Sequence, residues 1–314
     1  MIMIVSHHHE AGCEETLLDD LKAFVTVMEK SSLTKAADAL ALTQSAVSRR
    51  IQQLEDALGA TLLDRSTKPP TATAIGRRVY QSALPLLRDF NRLSRIASED
   101  AEPSGTFRLG LTQVVADIAL FDIAMTMKTT FPALDLRCRT GWSTVLQREL
   151  DSGDIDAAVL MLPSGTVRPP NGHGEPMASL DVLIVQSRRK PLVAAPAGLV
   201  DLAAQEWILN PQGCGYRTAL QRAFESAGRD MRLGVDTHGT ETQLRLVAAG
   251  LGLGLAPHAL LTRSAYAEEL SVVSSPEFSL SLDIWLSHGE AVGNFKRAVE
   301  VSSTVLKRAF AESI

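Results

Sequence analysis

Ser32-Leu33-Thr34-Lys35-Ala36-Ala37-Asp38-Ala39-Leu40, then a tight break at Leu42-Thr43, then Gln44-Ser45-Ala46-Val47-Ser48-Arg49-Arg50-Ile51-Gln52-Gln53-Leu54-Glu55-Asp56-Ala57-Leu58-Gly59 is the stretch that decides the fold. Ser31-Ser32 supply an N-cap for a short alanine-rich helix, and Thr43 caps a second one. Gly59 stands where a left-handed residue ends a helix. Wound at 100° per residue, Val47, Ile51, Leu54 and Leu58 fall on one side, the side a core would take. Ser45, Arg49, Gln52 and Gln53 lie opposite, with Gln44 and Ser48 near the N-terminal end. An exposed face of hydroxyls, amides and one guanidinium suits reading of the DNA major groove. Arginine offers two donors to guanine, glutamine pairs with adenine, and hydroxyls reach bases or phosphates. Two helices joined by a tight turn present the second one to the groove.

On the N-terminal side, Leu17, Leu21, Phe24, Val25 and Met28 recur at helical spacing and predict a first helix. Beyond Gly59, Thr61-Leu62-Leu63 and Thr71-Ala72-Thr73 flank Pro69-Pro70 and suit a two-stranded wing. Thr34, Arg65, Lys68 and Arg77-Arg78 are placed for phosphate contacts, which position a protein on DNA without reading sequence. A long helix is expected from Ile75 to about Ser98. Its Val79, Ala83, Leu86, Phe90, Leu93 and Ala97 follow a heptad, the pattern of a helix that pairs with another helix, and Pro85 should kink it. Glu99 to Gly105 reads as a hinge.

After Thr106 the rhythm becomes strand, helix, strand. Strands are expected at 107–111, 134–138, 157–162, 180–185, 207–209, 233–237, 253–256 and 280–286. Helices are expected after the first strand to about Thr130 and over 144–150, 218–227, 240–249 and 292–310, with a Pro/Gly-rich loop from Pro163 to Pro176. Two such α/β units joined by crossing strands leave a cleft at the carboxyl ends of their strands, where small ligands bind.

Composition bounds the rest. The 314 residues suffice for two or three domains, and 45% apolar against 21% charged residues permits folded cores throughout. The net charge of −5 divides unevenly: −3 over residues 1–15, +4 over 16–96 and −6 from residue 97 onward. A basic front and an acidic back suit different partners. Cys13, Cys138 and Cys214 are too scattered for a disulfide framework or a thiolate zinc site. The opening Met1-to-Val5 run is too short for a signal core, His7-His8-His9 reads as a tail, and no window is apolar enough to span a bilayer. These features point to a cytoplasmic protein.

Residues 21–76 closely resemble the winged helix-turn-helix of LysR-type transcriptional regulators. Phe131-Pro132, the run from Leu150 to Ala157 and the run from Val247 to Pro257 resemble that family's effector domain more weakly. The resemblance implies an α/β multidomain chain. An N-terminal extension (1–16) would precede the winged helix-turn-helix (17–76), a linker dimerisation helix (77–98) and a hinge (99–105). A two-lobed, periplasmic-binding-protein-like effector domain (106–314) would follow, with lobe I near 106–163 and 266–314 and lobe II near 177–265. It also implies homodimers or homotetramers on double-stranded DNA. Thr43 and Arg50 join the candidate DNA contacts on the same footing. Leu63, Ala72 and Ile75 depart from the family's usual phenylalanine, leucine and alanine, a change to wing packing more than to groove chemistry.

By the same resemblance the effector lies between the lobes. It would touch Thr112, Gln113, Trp142, Ser143 and Met161 from one lobe, and Asn210, Pro211, Gln212, Gly213, Cys214, Thr240 and Glu241 from the other. Helix N-termini there would offer free N–H groups to an anion, so the effector is expected to be small and polar or weakly anionic, held by neutral donors. No metal or cofactor is expected. Two other readings compete. A thiol redox sensor would use Cys214. An enzyme finds little support: Gly250-Leu251-Gly252-Leu253-Gly254 leads from a helix into a strand, the reverse of a dinucleotide turn, and no nucleophile elbow, phosphate loop or His-Glu-x-x-His is present.

Overall fold

The computed structural model describes residues 11–67, 69–167, 173–290 and 292–311. Lys68 and His7-His8-His9 lie outside the described residues. The chain divides into two compact units, Met1–Ser94 and Arg95–Ile314.

The first unit holds α1 (Ala11–Lys30), α2 (Leu33–Ala39), α3 (Gln44–Leu58), a hairpin of β1 (Leu63–Asp64) and β2 (Thr71–Ala72), and most of α4 (Ala74–Ile96). Helix α1 starts earlier than its apolar pattern, inside the expected extension. Ala11 to Glu15 has no apolar period, so periodicity marks only the turns that face a core. The caps are as read: Ser32 Oγ accepts from Lys35 N at 3.3 Å, Thr43 Oγ1 from Ala46 N at 3.2 Å, and Gly59 ends α3 at φ 63°. Each such cap stabilises its helix by about 1 kcal/mol. Phe24, Ala36, Ala37, Val47, Ile51, Leu54, Leu62 and Leu63 form the core. Burying each large aliphatic of α3 contributes about 1.5–3 kcal/mol.

Leu58 departs from the expected stripe and is 48% exposed. The chain turns away at Gly59 before α3's last turn reaches the core, and Glu55 occupies the buried position instead. The heptad of α4 also divides. Val79 and Ala83 pack into the first unit's core, whereas Leu86, Phe90 and Leu93 are exposed. Pro85 lies inside the helix.

The second unit opens with β3 (Gly105–Leu111), α5 (Gln113–Thr130), β4 (Leu134–Thr140), α6 (Ser143–Asp151), β5 (Ala157–Pro163) and β6 (His173–Ser187). Next come α7 (Leu199–Ala203), β7 (Glu206–Leu209), α8 (Gly215–Ser226), β8 (Arg232–Asp236), α9 (Thr240–Ala248) and β9 (Leu253–Pro257). Finally come α10 (His258–Leu261), β10 (Leu270–Val273), β11 (Leu280–His288) and α11 (Lys296–Ala311). One sheet runs in the order β4-β3-β5-β11-β6-β9-β7-β8, with β10 also on β6. The β3–β4, β3–β5, β7–β8 and β7–β9 pairs are parallel, as crossover helices require. Strands β6 and β11 are antiparallel to their neighbours and pass between the two α/β lobes.

Three expectations change here. The loop read from Pro163 to Pro176 ends earlier, because β6 already begins at His173 and is much longer than 180–185. Pro176 is accommodated where the β6–β11 register shifts at Ile284/Trp285. Helix α8 begins at Gly215, not Thr218. Strand β10 pairs with Ile184–Ser187, the end of β6 that also carries β9, so residues 270–273 belong with the second lobe and not the first.

Candidate DNA-reading helix and interlobe cleft

On α3, Gln44, Ser45, Arg49, Gln52 and Gln53 are exposed, while Val47, Ile51 and Leu54 are 1% exposed or less. The two faces of this helix are thus held apart by its own burial pattern. Arg49 makes no ion pair among the described residues, and Thr34 is exposed near the start of α2. Thr43 Oγ1 and Ser45 Oγ lie 3.0 Å apart at the N-terminal end of α3, and Ser48 is half-buried.

Three further named candidates have partners within the unit. Arg50 turns back to α1, with its guanidinium 3.2 Å from Asp19, so it does not share the face of Arg49. Gln52 donates to Asp56 at 3.0 Å. Arg65 donates to Glu55 at 3.0 Å, and the other oxygen of Glu55 accepts from Leu62 N (2.7 Å) and Leu63 N (3.1 Å). Glu55 therefore ties α3 to the wing, and Arg65 serves first as the wing's anchor. Sequence reasoning missed Glu55. Its signal was an acid four residues after Ile51 and next to Leu54, at the edge of the apolar stripe.

In the second unit, a cavity of about 700 Å³ opens between the lobes. Its wall includes Thr112, Gln113, Trp142, Ser143 and Met161 from the first lobe and crossover, and Asn210, Gly213, Cys214 and Thr240 from the second. Pro211, Gln212 and Glu241 do not line it. Glu241 instead accepts from Ser264 Oγ at 2.9 Å. The termini of α5, α6, α8 and α9 all reach this cavity because each follows a strand's carboxyl end, where crossover topology leaves a crevice.

The side chains there have distinct states. Thr112 is 6% exposed and its Oγ1 has no hydrogen-bond partner. Gln113 points its amide at Asp117, 2.7 Å away, and burial still raises the Asp117 carboxyl above its usual range against that hydrogen bond. Ser143 Oγ donates to Met161 O (2.9 Å) and accepts from Met161 N (3.0 Å), so the hydroxyl is used in fixing α6 to β5. Trp142 lies across Gly213 from the other lobe. A Cβ on Gly213 would stand 3.1 Å from the indole, and the residue's φ of 99° also favours glycine. The Tyr216 hydroxyl reaches Met161 Sδ at 3.8 Å.

Cys214 is buried at the start of α8. Burial pushes its thiol pKa up, and the Arg217 and Tyr216 amides, the Asn210 side chain and the Arg217 charge only partly oppose this. A protonated thiol is the less reactive form. Sequence reasoning placed no secure arginine in the cleft. Arg217 is committed elsewhere, to Asp236 at 3.2 Å, but Arg222, five residues further on α8, lines the cavity, as does His238. The i, i+4 spacing from Thr218, itself on the wall, was the available signal.

Comparison with known proteins agrees with this geometry. Residues 18–77 match the family model described as bacterial regulatory helix-turn-helix protein, lysR family, and residues 100–291 match the LysR substrate binding domain. The HTH-type transcriptional regulator CzcR of Bacillus anthracis is 26% identical over 260 residues, covering 83% of this chain and 86% of that protein. A full-length OxyR variant from Pseudomonas aeruginosa superposes with a TM-score of 0.67 at 19% identity, covering 96% of both chains. Full-length CbnR in complex with its target DNA gives 0.59 at 19%, covering 93% of this chain and 99% of that one. These structures share the fold. Among the described residues no helix is long and apolar enough to cross a membrane. The two family models between them span α3 and the interlobe cavity, and the chain belongs to the LysR family of transcriptional regulators.

Proposed function

We propose that α3 enters the major groove and reads bases with Gln44, Ser45, Arg49 and Gln53, while Thr34, Thr43 and Ser48 hold the adjoining phosphates. The observation that carries this is the clean division of α3 between a buried aliphatic side and an exposed polar side, whose Arg49 has no ion-pair partner among the described residues. The structure of CbnR holds its target DNA, which supports the same use of the fold. Pairing of two chains through Leu86, Phe90 and Leu93 of α4 would set two reading helices at fixed spacing, so half-site separation follows from protein geometry. A small polar or weakly anionic effector in the interlobe cavity changes the angle between lobes and so favours one arrangement of the dimer or tetramer. On this reading the protein acts in the cytoplasm and is a regulator, not an enzyme.

The test is Arg49→Ala on a specific duplex and on random-sequence DNA. A bidentate arginine–guanine pair discriminates by about 1–3 kcal/mol. The specific affinity should therefore fall by roughly 5- to 150-fold while the random-sequence affinity changes far less. Equal losses on both would contradict base reading by Arg49.

A further inference from the structure

Two side chains of α3 are joined in a way that bears on base choice. Wound at about 100° per residue, Ser45, Arg49, Gln52 and Asp56 fall within about 60° of one another, and all four are exposed. Asp56 is out of keeping with that stripe. It stands in the last turn of α3, where the helix dipole disfavours an acid, and a nearby chain of phosphates would repel it further. Its carboxylate nevertheless has a partner on the stripe: Gln52 Nε2 donates to Asp56 Oδ1 at 3.0 Å.

That hydrogen bond changes what Gln52 offers. A free primary amide can turn over, exchanging its oxygen for its NH2 group, and so can meet either purine. An ionised carboxylate only accepts, so Asp56 admits the NH2 group and turns the oxygen away. The amide keeps Oε1 and its second N–H, one acceptor and one donor. Adenine complements that pair with its N6 amino group and N7, whereas guanine shows acceptors at both N7 and O6 and would set one of them against Oε1. Pairs of this spacing recur elsewhere, Gln147 with Asp151 on α6 at 2.9 Å and Gln221 with Glu225 on α8 at 3.2 Å, where they lace a helix surface. The α8 pair shows that a glutamate also reaches at this spacing.

We propose that Gln52 reads an adenine and that Asp56 is its positioning residue, holding the amide in the orientation that suits adenine and not guanine. The inference rests on α3 being the element that reads DNA, and it adds a base and the residue that selects it. The two properties of Asp56 act in opposite directions. Its charge weakens binding to every duplex, and its hydrogen bond sharpens the choice among them.

The experiment selects bound duplexes from a randomised library with the full-length protein, sequences them, and measures chosen duplexes and random-sequence DNA by fluorescence anisotropy. The wild-type chain should prefer adenine over guanine at one position of the bound motif by about ten-fold, within the range of a bidentate contact. Gln52→Ala should flatten that position and leave the others. Asp56→Ala should reduce the preference there to about three-fold or less, yet bind random DNA at least as tightly as the wild type, because a negative charge is gone. Asp56→Asn, whose amide donates as well as accepts, should behave like Asp56→Ala, whereas Asp56→Glu should keep the preference. In the Gln52→Ala background, Asp56→Ala should no longer alter base choice. Equal weakening of specific and random binding by Asp56→Ala would mark a structural role and overturn the assignment. So would an adenine preference unmoved by Asp56→Ala, or a Gln52-dependent position that prefers another base. A motif that answers to Arg49→Ala but at no position to Gln52→Ala overturns this assignment and leaves reading by α3 intact. If no sequence is preferred at all, both fall.

Discussion

Removing the Glu55 carboxylate should cost the DNA-binding unit far more stability than removing its ionic partner. One oxygen of Glu55 accepts from the amides of Leu62 and Leu63, residues 0% and 2% exposed. In Glu55→Ala both amides lose their acceptor in a place water does not reach, at about 1–3 kcal/mol each. The ion pair with Arg65 adds little, because that side chain is 52% exposed and such pairs contribute about 0–1 kcal/mol. The sum is about 2–7 kcal/mol. In a unit of this size each kcal/mol moves the midpoint by about 4–8 °C, so its thermal transition should fall by at least about 8 °C, and by at least about twice the shift of Arg65→Ala. Arg65→Ala should lower it by no more than about 8 °C, the shift for about 1 kcal/mol. Glu55→Gln, which keeps an acceptor for the amides, should lie between. The assay is differential scanning calorimetry of the full-length protein, following the transition that specific duplex DNA stabilises. Equal shifts for Glu55→Ala and Arg65→Ala would refute the reasoning, since the ion pair and not the amides would then hold the wing.

Other consequences are as direct. Gly76→Ala places a Cβ 2.1 Å from the Leu62 carbonyl oxygen, a backbone atom, so the same transition should fall by several degrees or the variant should fail to fold, read by the same calorimetry. Leu86→Glu with Leu93→Glu puts charge on the exposed apolar stripe of α4 and should shift the sedimentation profile toward monomer with little change in the monomer's circular dichroism. Because burial raises the Cys214 thiol pKa, its alkylation by iodoacetamide should be slow at pH 7 and should rise with pH beyond the ordinary thiol range, read by mass spectrometry. Rapid alkylation at pH 7 would restore the redox reading of this residue.

Much of the fold was legible because it rests on local chemistry. Ser32, Thr43 and Gly59 cap their helices through their own side chains or backbone freedom, and Val47, Ile51 and Leu54 declare a core side at helical spacing. The continuous apolar run of β5 likewise declares a strand covered on both faces. What stayed hidden depends on distant partners. The first residues of β6 read as a loop because Gly174 and Pro176 disfavour strands, and only pairing with β11 draws them into the sheet. Strand β10 has four residues and no period of its own. At the sites, the residue types on α3 were visible, but their engagement was not: Arg50 faces Asp19, and Arg65 faces Glu55, through contacts that no spacing rule announces. In the cleft, nine of the twelve named residues line the cavity, while Arg222 was passed over because it sits inside a helix and not at its start.

The central claim is that the exposed side of α3 meets DNA. Its most direct test is fluorescence anisotropy of the full-length protein with duplexes from beside its own coding region, titrated across salt concentration. The account predicts tight binding to at least one duplex, with log affinity falling linearly against log salt at a slope of several units, as released phosphate counterions require. It also predicts that Gln53→Ala and Arg49→Ala weaken that duplex selectively. Affinity for no duplex at any salt concentration, or binding that salt does not weaken, would contradict it.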